Sequence, residues 1–357
     1  MGHRSLIIVS FVALAVGVAA ERAAAADSVA DFYKGKQVRV IIGNPPGGGY
    51  DLYARLVALH LEKHVPGNPK FVPQNMAGAG SRLAANWLYN VAPKDGTAIG
   101  MVGQGTPTDE ALNEQGVQFN TAQFNWIGNP IVDNNATGIW HTAGVKTIDD
   151  LKNKGGVICA GSGATSSSVT YPQTLNNLIG TKIKIISGYP GSPEMDLAIE
   201  RGEVNCRGGN SWSGWNAEAG AWLREHKMNF VVQWGPKKNP DISKHAGMEV
   251  PLASEFAKTE LDRRAIELIS SGVALGRPFL SPPGVPMDRI TALRRAFDAV
   301  MKDPAFQADA MKQNMVINPM SGEELQTVAS DVARSPAEVI ARVKELTDPK
   351  DASELKK

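Results

Sequence analysis

Two successive β-α-β-α-β patterns constrain the fold of this chain more than any other feature. The first series contains the strand-like runs QVRVIIG, KFVPQN and TAIGMVG, and the second contains GVICAG, KIKIIS and EVNCRG, with helix-like segments between the runs. In the first helix, Leu52, Leu56 and Leu59 recur at helical spacing. Strands that alternate with helices form doubly wound, mostly parallel sheets. The sequence therefore predicts two α/β lobes, each built on such a sheet.

A proline-rich bend, GVALGRPFLSPPGVP, follows the second series, and only helix-like segments come after it. These segments have no strands of their own, so we expect the C-terminal helices to pack on lobe one. Lobe one is then discontinuous, with residues 27–130 plus 275–357, and lobe two is inserted as residues 131–274. Two crossovers, near 128–134 and 270–280, join the lobes. We therefore expect a two-lobed α/β fold in which the two crossovers form a hinge.

The first 26 residues read as a secretory signal peptide. MGHRS gives a basic start, an apolar run of 15 residues follows, and AAAA at 23–26 offers a small-residue cleavage site. The run is short for a membrane span, which is the alternative interpretation. We expect cleavage before Asp27 and a soluble mature protein in the periplasm.

Charge and cysteine content narrow the function classes. The formal net charge of the 357 residues is +1, which gives no reason to expect nucleic acid as a partner. The two cysteines, Cys159 and Cys206, lack the spacing of a metal or redox motif. In an exported protein they form either one disulfide or two buried free thiols, although bridges between adjacent strands fit the required geometry poorly. We expect no metal and no cofactor.

The loop GNPPGGGYDL, between the first strand and its helix, suggests an anion site. It has neither the lysine and hydroxyl of a P-loop nor the final glycine of a dinucleotide fingerprint. Glycines let backbone N–H groups approach a ligand closely, and the helix that follows adds its positive end. A tight turn without a ligand is the alternative for any single loop of this kind.

The same device recurs in NMAGAGSRL, GQGTPTDEA, AGSGATSSSVT and SGYPGSPEM. Each of these loops follows a strand and opens a helix, so each lies at the edge of a sheet where open α/β folds bind ligands. Hydroxyls of residues 165–168 add donors, with helix capping as their other role. GGNSWSG has the wrong spacing for a serine-hydrolase elbow. A small anion held between two lobes is the function that this pattern favours.

Taken together, these motifs resemble the substrate-binding proteins of tripartite tricarboxylate transporters, also known as Bug proteins. The resemblance runs through DFYKGKQVRVIIG, PPGGGYDLYARL, PQNMAGAGS, NVAPKDGTAIGMV, GSGATSSS, GYPGSPEMDLAIERGEV and SPPGVPMDRITALRRAF. It implies a two-lobed, Venus-flytrap periplasmic binding protein, not an enzyme, that closes on a small organic carboxylate and delivers it to membrane permease subunits. We expect the protein to be a monomer. The alternatives are a ligand sensor of the same fold that signals to a membrane receptor, and a secreted hydrolase.

The resemblance also implies a ligand site. Its members come from loops of both lobes: Pro46, Gly47, Gly48, Gly49, Asp51, Gly78, Ala79, Gly80, Gln104, Ser162, Gly163, Thr165, Ser166, Ser167, Tyr189, Gly191 and Asn210.

Three residues near Asn210 depart from the family pattern: Gly209 stands where many members carry an aspartate, Trp212 stands where a small residue or proline is common, and Arg207 is the third. Arg207 replaces an apolar residue, and it is added to the candidate site because its guanidinium is suited to a second carboxylate. A structural ion pair is the other interpretation. Trp212 and Trp215 either stack on an aromatic ligand or pack in the core of lobe two.

Overall fold

The computed structural model describes residues 29–349, so the predicted signal peptide lies outside the described residues. The first eight elements are α1 (29–33), β1 (Gln37–Ile42), α2 (Gly49–His64), β2 (Lys70–Asn75), α3 (Arg82–Asn90), β3 (Ala98–Met101), α4 (Thr106–Ala111) and β4 (Asn125–Asn129). The chain then forms β5 (Asn135–Trp140), α5 (Ile148–Asn153), β6 (Ile158–Gly161), α6 (Ser167–Ile179), β7 (Lys184–Ser187), α7 (Ser192–Glu200), β8 (Cys206–Ser211), α8 (Trp212–Glu218), α9 (Gly220–Arg224), β9 (Met228–Trp234), α10 (Pro240–Ala246) and α11 (Glu260–Ile269). The last elements are α12 (Gly272–Leu275), β10 (Phe279–Ser281), α13 (Met287–Lys302), α14 (Pro304–Lys312), β11 (Met320–Ser321), α15 (Gly322–Ala333) and α16 (Ala337–Thr347).

The strands form two sheets, which confirms the predicted two-lobed α/β fold. The first sheet has the order β11–β4–β10–β3–β1–β2, and the second has the order β7–β6–β8–β5–β9. Strands β1 to β3 pair in parallel, as do β6 to β8, but β10 and β11 in the first sheet and β5 and β9 in the second pair antiparallel. Most strands of each sheet run in the same direction, but each sheet is mixed, because strands from outside the β-α-β-α-β series complete it.

Apolar side chains cover both faces of each sheet. In lobe one, β1 alternates its side chains so that Val38, Val40 and Ile42 pack against α2 and α13, while Ile41 packs against α3 and α15. In lobe two, one face is covered by α6 and α11 and the other by α7 to α10. This double cover leaves the loops at the strand ends as the surface on which the lobes face each other.

The last helix does not follow the expected course. Helices α13 and α14 contact α2, and α15 contacts β4, as expected for a return to lobe one. Helix α16, however, contacts α6 and α11 of lobe two, where Val339, Val343 and Leu346 are buried. The expectation that all C-terminal helices pack on lobe one is wrong for α16, because its apolar stripe completes the core of the second lobe instead. The chain thus passes between the lobes a third time, between α15 and α16.

Cys159 and Cys206 form a disulfide. They lie directly opposite each other on the neighbouring parallel strands β6 and β8, with their Cα atoms 4.2 Å apart, and both are fully buried. The sequence left open whether the two cysteines form a disulfide or remain free thiols, and the structure has the disulfide. It ties together two neighbouring inner strands of lobe two: β6, which leads into the serine-rich loop, and β8, which carries Arg207.

Replacing both cysteines with alanine should lower the free energy of unfolding by about 2–4 kcal/mol, because the bridge closes a long loop in the unfolded chain. The two residues are 47 positions apart. Urea unfolding followed by circular dichroism measures the difference. A reductant should lower the midpoint of the wild type and leave that of the variant unchanged. Equal unfolding free energies for the oxidised wild type and the variant would contradict a stabilising role.

Within residues 29–349, no helix is long and apolar enough to span a bilayer.

Candidate functional site

A cavity of about 130 Å³ lies between the two lobes, at the ends of the strands. Lobe one contributes loops after β1, β2 and β3, and lobe two contributes loops after β6, β7 and β8. The wall also includes Gly272, Gly276 and Arg277 from the crossover between α11 and β10. All five loops that the sequence singled out therefore lie at facing sheet edges.

The two lobes touch each other around this cavity. A Cβ atom built on Gly163 would lie 3.1 Å from Cα of Gly80, and one built on Gly191 would lie 2.5 Å from Cγ of Pro45. Backbone meets backbone at the first contact, which only a residue without a side chain allows. The structure is therefore closed over the cavity.

The first glycine-rich loop is shaped by Asp51. The carboxylate of Asp51 accepts hydrogen bonds from the Gly47 N–H (3.0 Å), from Arg55 (2.8 Å) and from Asn75 (2.9 Å). Burial of Asp51 opposes ionisation, but these hydrogen bonds outweigh it and lower its pKa. With its oxygens committed to these partners, Asp51 holds the loop in place. The Gly49 N–H at the start of α2 donates a hydrogen bond to Oε1 of Glu218 from lobe two at 2.5 Å.

The second loop of lobe one has an unusual backbone. Four successive residues have positive φ: Gly78 (149°), Ala79 (47°), Gly80 (63°) and Ser81 (83°). Alanine and serine rarely adopt such angles, so the segment carries strain, as binding loops often do. The result is that Gly80 reaches the cavity wall and meets Gly163.

The serine-rich loop of lobe two forms a hydroxyl network at the start of α6. Ser166 Oγ donates to the Gly163 carbonyl at 2.7 Å and lies 2.8 Å from Ser168 Oγ. Ser168 Oγ also accepts from the Ser162 N–H at 3.1 Å. Ser166 is the N-cap of α6, but its side chain does not cap the helix. The amides of Ser167 and Ser168 at the start of α6 therefore remain open, and both residues line the cavity.

Arg207 is held in ion pairs, which is the structural interpretation of its role. Its Nη1 lies 2.8 Å from Asp196 Oδ1 and 3.2 Å from Glu218 Oε2, and Nη2 donates to Ser192 Oγ at 2.9 Å. The side chain is 1% exposed. Arg207 lines the cavity, but two carboxylates of the protein already balance its charge.

The two tryptophans belong to the core of lobe two. Trp212 packs edge-on against Phe230, and Trp215 packs against Phe230 and beneath the guanidinium of Arg207, 4.9 Å from its ring. Neither ring lines the cavity between the lobes. Core packing, rather than stacking on a ligand, is the role that the structure shows.

The structure separates the predicted site residues into two groups. The residues that line the cavity are Gly80, Gln104, Ser162, Thr165, Ser166, Ser167, Gly191, Arg207 and Asn210. The others lie in the supporting loops outside the wall: Pro46, Gly47, Gly48, Gly49, Asp51, Gly78, Ala79, Gly163 and Tyr189.

Several further polar residues in the wall were not predicted, among them Tyr50, Asp109, Asn135, Glu218 and Arg277. Tyr50 and Asp109 lie in the first turn of helices that open from predicted loops, so their position in those helices was an available signal. Arg277 Nη1 and Nη2 donate to Ser213 (2.9 Å) and Ser211 (3.0 Å), which fastens the crossover to the start of α8.

Asp109 gives the site a titratable group near neutrality. Burial raises the pKa of Asp109 to about 7, although Thr165 and Arg82 lower it. Its Oδ1 is buried and has no hydrogen-bond partner. The cavity wall therefore gains a negative charge as the pH rises through about 7.

Affinity for an anionic solute should fall as the pH rises through about 7. A bound anion raises the pKa of Asp109 further, so the complex holds the proton more tightly than the free protein, and each added pKa unit costs about tenfold in affinity. Asp109→Asn should bind with nearly constant affinity from pH 6 to 8. The exposed Asp149→Asn is the matched control and should behave as the wild type. Calorimetric titration at several pH values tests this, and identical pH profiles for the wild type and Asp109→Asn would refute it.

Comparisons with known proteins bear out the predicted resemblance. The chain is 23% identical over 367 residues to the UPF0065 protein in the gbd 5′ region of Cupriavidus necator, covering 96% of this chain and 98% of that protein. The solved structure of the periplasmic binding protein BugD matches with a TM-score of 0.68 at 16% identity, covering 88% and 98% of the two chains. MatC from Rhodopseudomonas palustris, solved with bound malate, matches with a TM-score of 0.64 at 18% identity, covering 88% and 99%. No protein-family model matches the chain.

Proposed function

We propose that this protein is a periplasmic solute-binding protein that captures a small organic carboxylate between its two lobes and delivers it to a tripartite tricarboxylate-type membrane permease. The observation that carries the proposal is the polar cavity enclosed where the strand-end loops of both lobes meet. The lobes are joined by crossovers and can separate about them, as in hinge closure. The protein acts by binding rather than by catalysis.

The chemistry of the wall supports an anionic solute. Open amides at the start of α6, hydroxyls of Ser162, Thr165 and Ser167, and the buried guanidinium of Arg277 supply donors. The likeness to MatC, which was solved with bound malate, supports the same class of ligand. The described residues that line the cavity include no histidine to activate a serine, which weighs against the hydrolase alternative.

Solute contacts with both lobes stabilise the closed state, and the permease would recognise that state. Eighteen residues are then proposed to form the ligand site. Nine of them line the cavity, and the other nine lie in the loops that support it. The proposed boundaries are residues 27–130 plus 275–357 for lobe one and 131–274 for lobe two, except that α16, within 275–357, packs on lobe two.

A titration panel tests the proposal. The mature protein is titrated with mono-, di- and tricarboxylates, aromatic acids, a neutral sugar and an amine, while tryptophan fluorescence and melting temperature are recorded. Trp215 touches Arg207 in the cavity wall, so closure should change its emission. We expect at least one carboxylate to raise the melting temperature and alter the fluorescence. Responses to the sugar or amine alone would overturn the proposal.

A further inference from the structure

Glu218 occupies the position that the first glycine-rich loop would offer to a carboxylate. It is the last residue of α8 in lobe two, and its side chain is 6% exposed. Oε1 accepts the hydrogen bond from the Gly49 N–H at the start of α2, at 2.5 Å. The N-cap of α2 is Gly48, which has no side chain to cap the helix. A carboxylate of the protein therefore fills the anion position at this helix end.

We propose that Glu218 determines specificity, by filling one carboxylate position itself and restricting the cavity to solutes with a single carboxylate. The inference rests on the proposed function, because it names the class of acid that the same site takes. Glu218 then has two roles: it completes the cavity wall, and it excludes di- and tricarboxylates.

The charges around Glu218 explain why a second carboxylate of the solute is excluded. Its Oε2 lies 3.2 Å from Arg207 Nη1 and accepts from Asn210 Nδ2 at 3.3 Å. Arg207 is shared with Asp196, so one guanidinium already faces two carboxylates. A third carboxylate brought to this point meets the like charges of Glu218 and Asp196 in a buried setting, and Arg207 is already shared between those two. Such repulsion is a common means of excluding wrong ligands.

A second anion position remains open at the start of α6. This helix has 13 residues, and its N-cap Ser166 does not cap it. Two buried acceptors in the same cavity wall lack partners, Oδ1 of Asn135 and Oδ1 of Asp109. The side chains are 1% and 2% exposed, respectively. The solute that suits this wall carries one carboxylate for α6 and a hydrogen-bond donor, such as a hydroxyl, for these acceptors.

The test compares acids that differ only by one carboxylate. Lactate is paired with malate, and butyrate with glutarate, in calorimetric titrations of the wild type, Glu218→Gln and Glu218→Ala. The matched control is Glu225→Gln, an exposed lobe-two glutamate that pairs with Lys227. We expect the wild type to bind the monocarboxylate of a pair at least tenfold more tightly. Both Glu218 variants should shift that ratio toward the dicarboxylate by at least tenfold, and the control should keep the wild-type ratio.

Two results would overturn the inference. One is a preference of the wild type for the dicarboxylate, and this result does not depend on the folding of any variant. The other is a ratio that stays the same in Glu218→Gln, with a melting temperature that shows the variant to be folded. In both cases acids still bind, so the proposed function stands. If no carboxylate binds, the proposed function is wrong, and this inference is wrong with it.

Discussion

Replacing Gly163 with valine should abolish solute binding while both lobes stay folded. A Cβ atom at this position would lie 3.1 Å from the Gly80 Cα and 3.1 Å from the Gly80 N, which are backbone atoms of the opposite lobe. Backbone cannot swing away as a flexible side chain can, so the two methyl groups of valine would hold the lobes apart. We expect a loss of affinity of more than about 100-fold, because an open cleft loses the contacts of one entire lobe with the solute.

Calorimetric titration with the best carboxylate of the panel measures this loss, and the melting temperature without solute checks the fold. Gly155→Val is the matched control, since it lies in the same lobe and a Cβ there has no atom within 4 Å. Gly48→Val should have a smaller effect than Gly163→Val, because a Cβ at Gly48 meets Pro193 at an ordinary 3.7 Å. Unchanged affinity in a folded Gly163→Val protein would show that the lobes do not need to meet at this point.

The loops around the cavity were predictable because their signal is local. A strand, a glycine- or serine-rich turn and a helix follow each other within about 20 residues, and the strand ends share one edge of a sheet. This reasoning reached Gly80, Gln104 and Ser166, which all line the cavity. It did not distinguish them from Asp51, whose carboxylate is used within its own loop.

Glu218 and Arg277 were not predictable in the same way. Each is a single charged residue outside any motif, and its role depends on an element far away in the chain. The bond from Gly49 to Glu218 spans 169 positions and exists only because α8 ends where α2 begins. For α16, the spacing of Val339, Val343 and Leu346 indicates a buried stripe, but not which of two similar lobes covers it. The strand pairings of β10 and β11 likewise join segments that are far apart in the chain, so no local pattern predicts them.

The second large effect should come from Arg207→Met, which leaves Asp196 and Glu218 buried side by side without their shared cation. Methionine keeps most of the packing on Trp215, so the change acts chiefly on charge. Breaking a buried ion pair by removing one partner typically costs about 3–5 kcal/mol, because the remaining charges are uncompensated. We expect a loss of that size in the free energy of unfolding at pH 8, measured with urea. Arg201→Met, at an exposed arginine whose nearest carboxylate is 3.9 Å away, is the matched control and should change little.

The pH dependence of this loss in the free energy of unfolding distinguishes an electrostatic cause from a loss of packing. In the wild type, burial raises the pKa of Asp196 to about 6, Arg207 lowers it and Glu218 raises it. Without Arg207, the pKa rises further above the value of the unfolded chain, so the folded variant binds more protons than the unfolded one. Its stability must then fall as the pH rises from about 4 through that raised pKa. The difference from the wild type should therefore be small at pH 5 and complete at pH 8, and Asp196→Asn in the Arg207→Met background should recover part of it. A loss of equal size at both pH values would instead assign the effect to packing on Trp215.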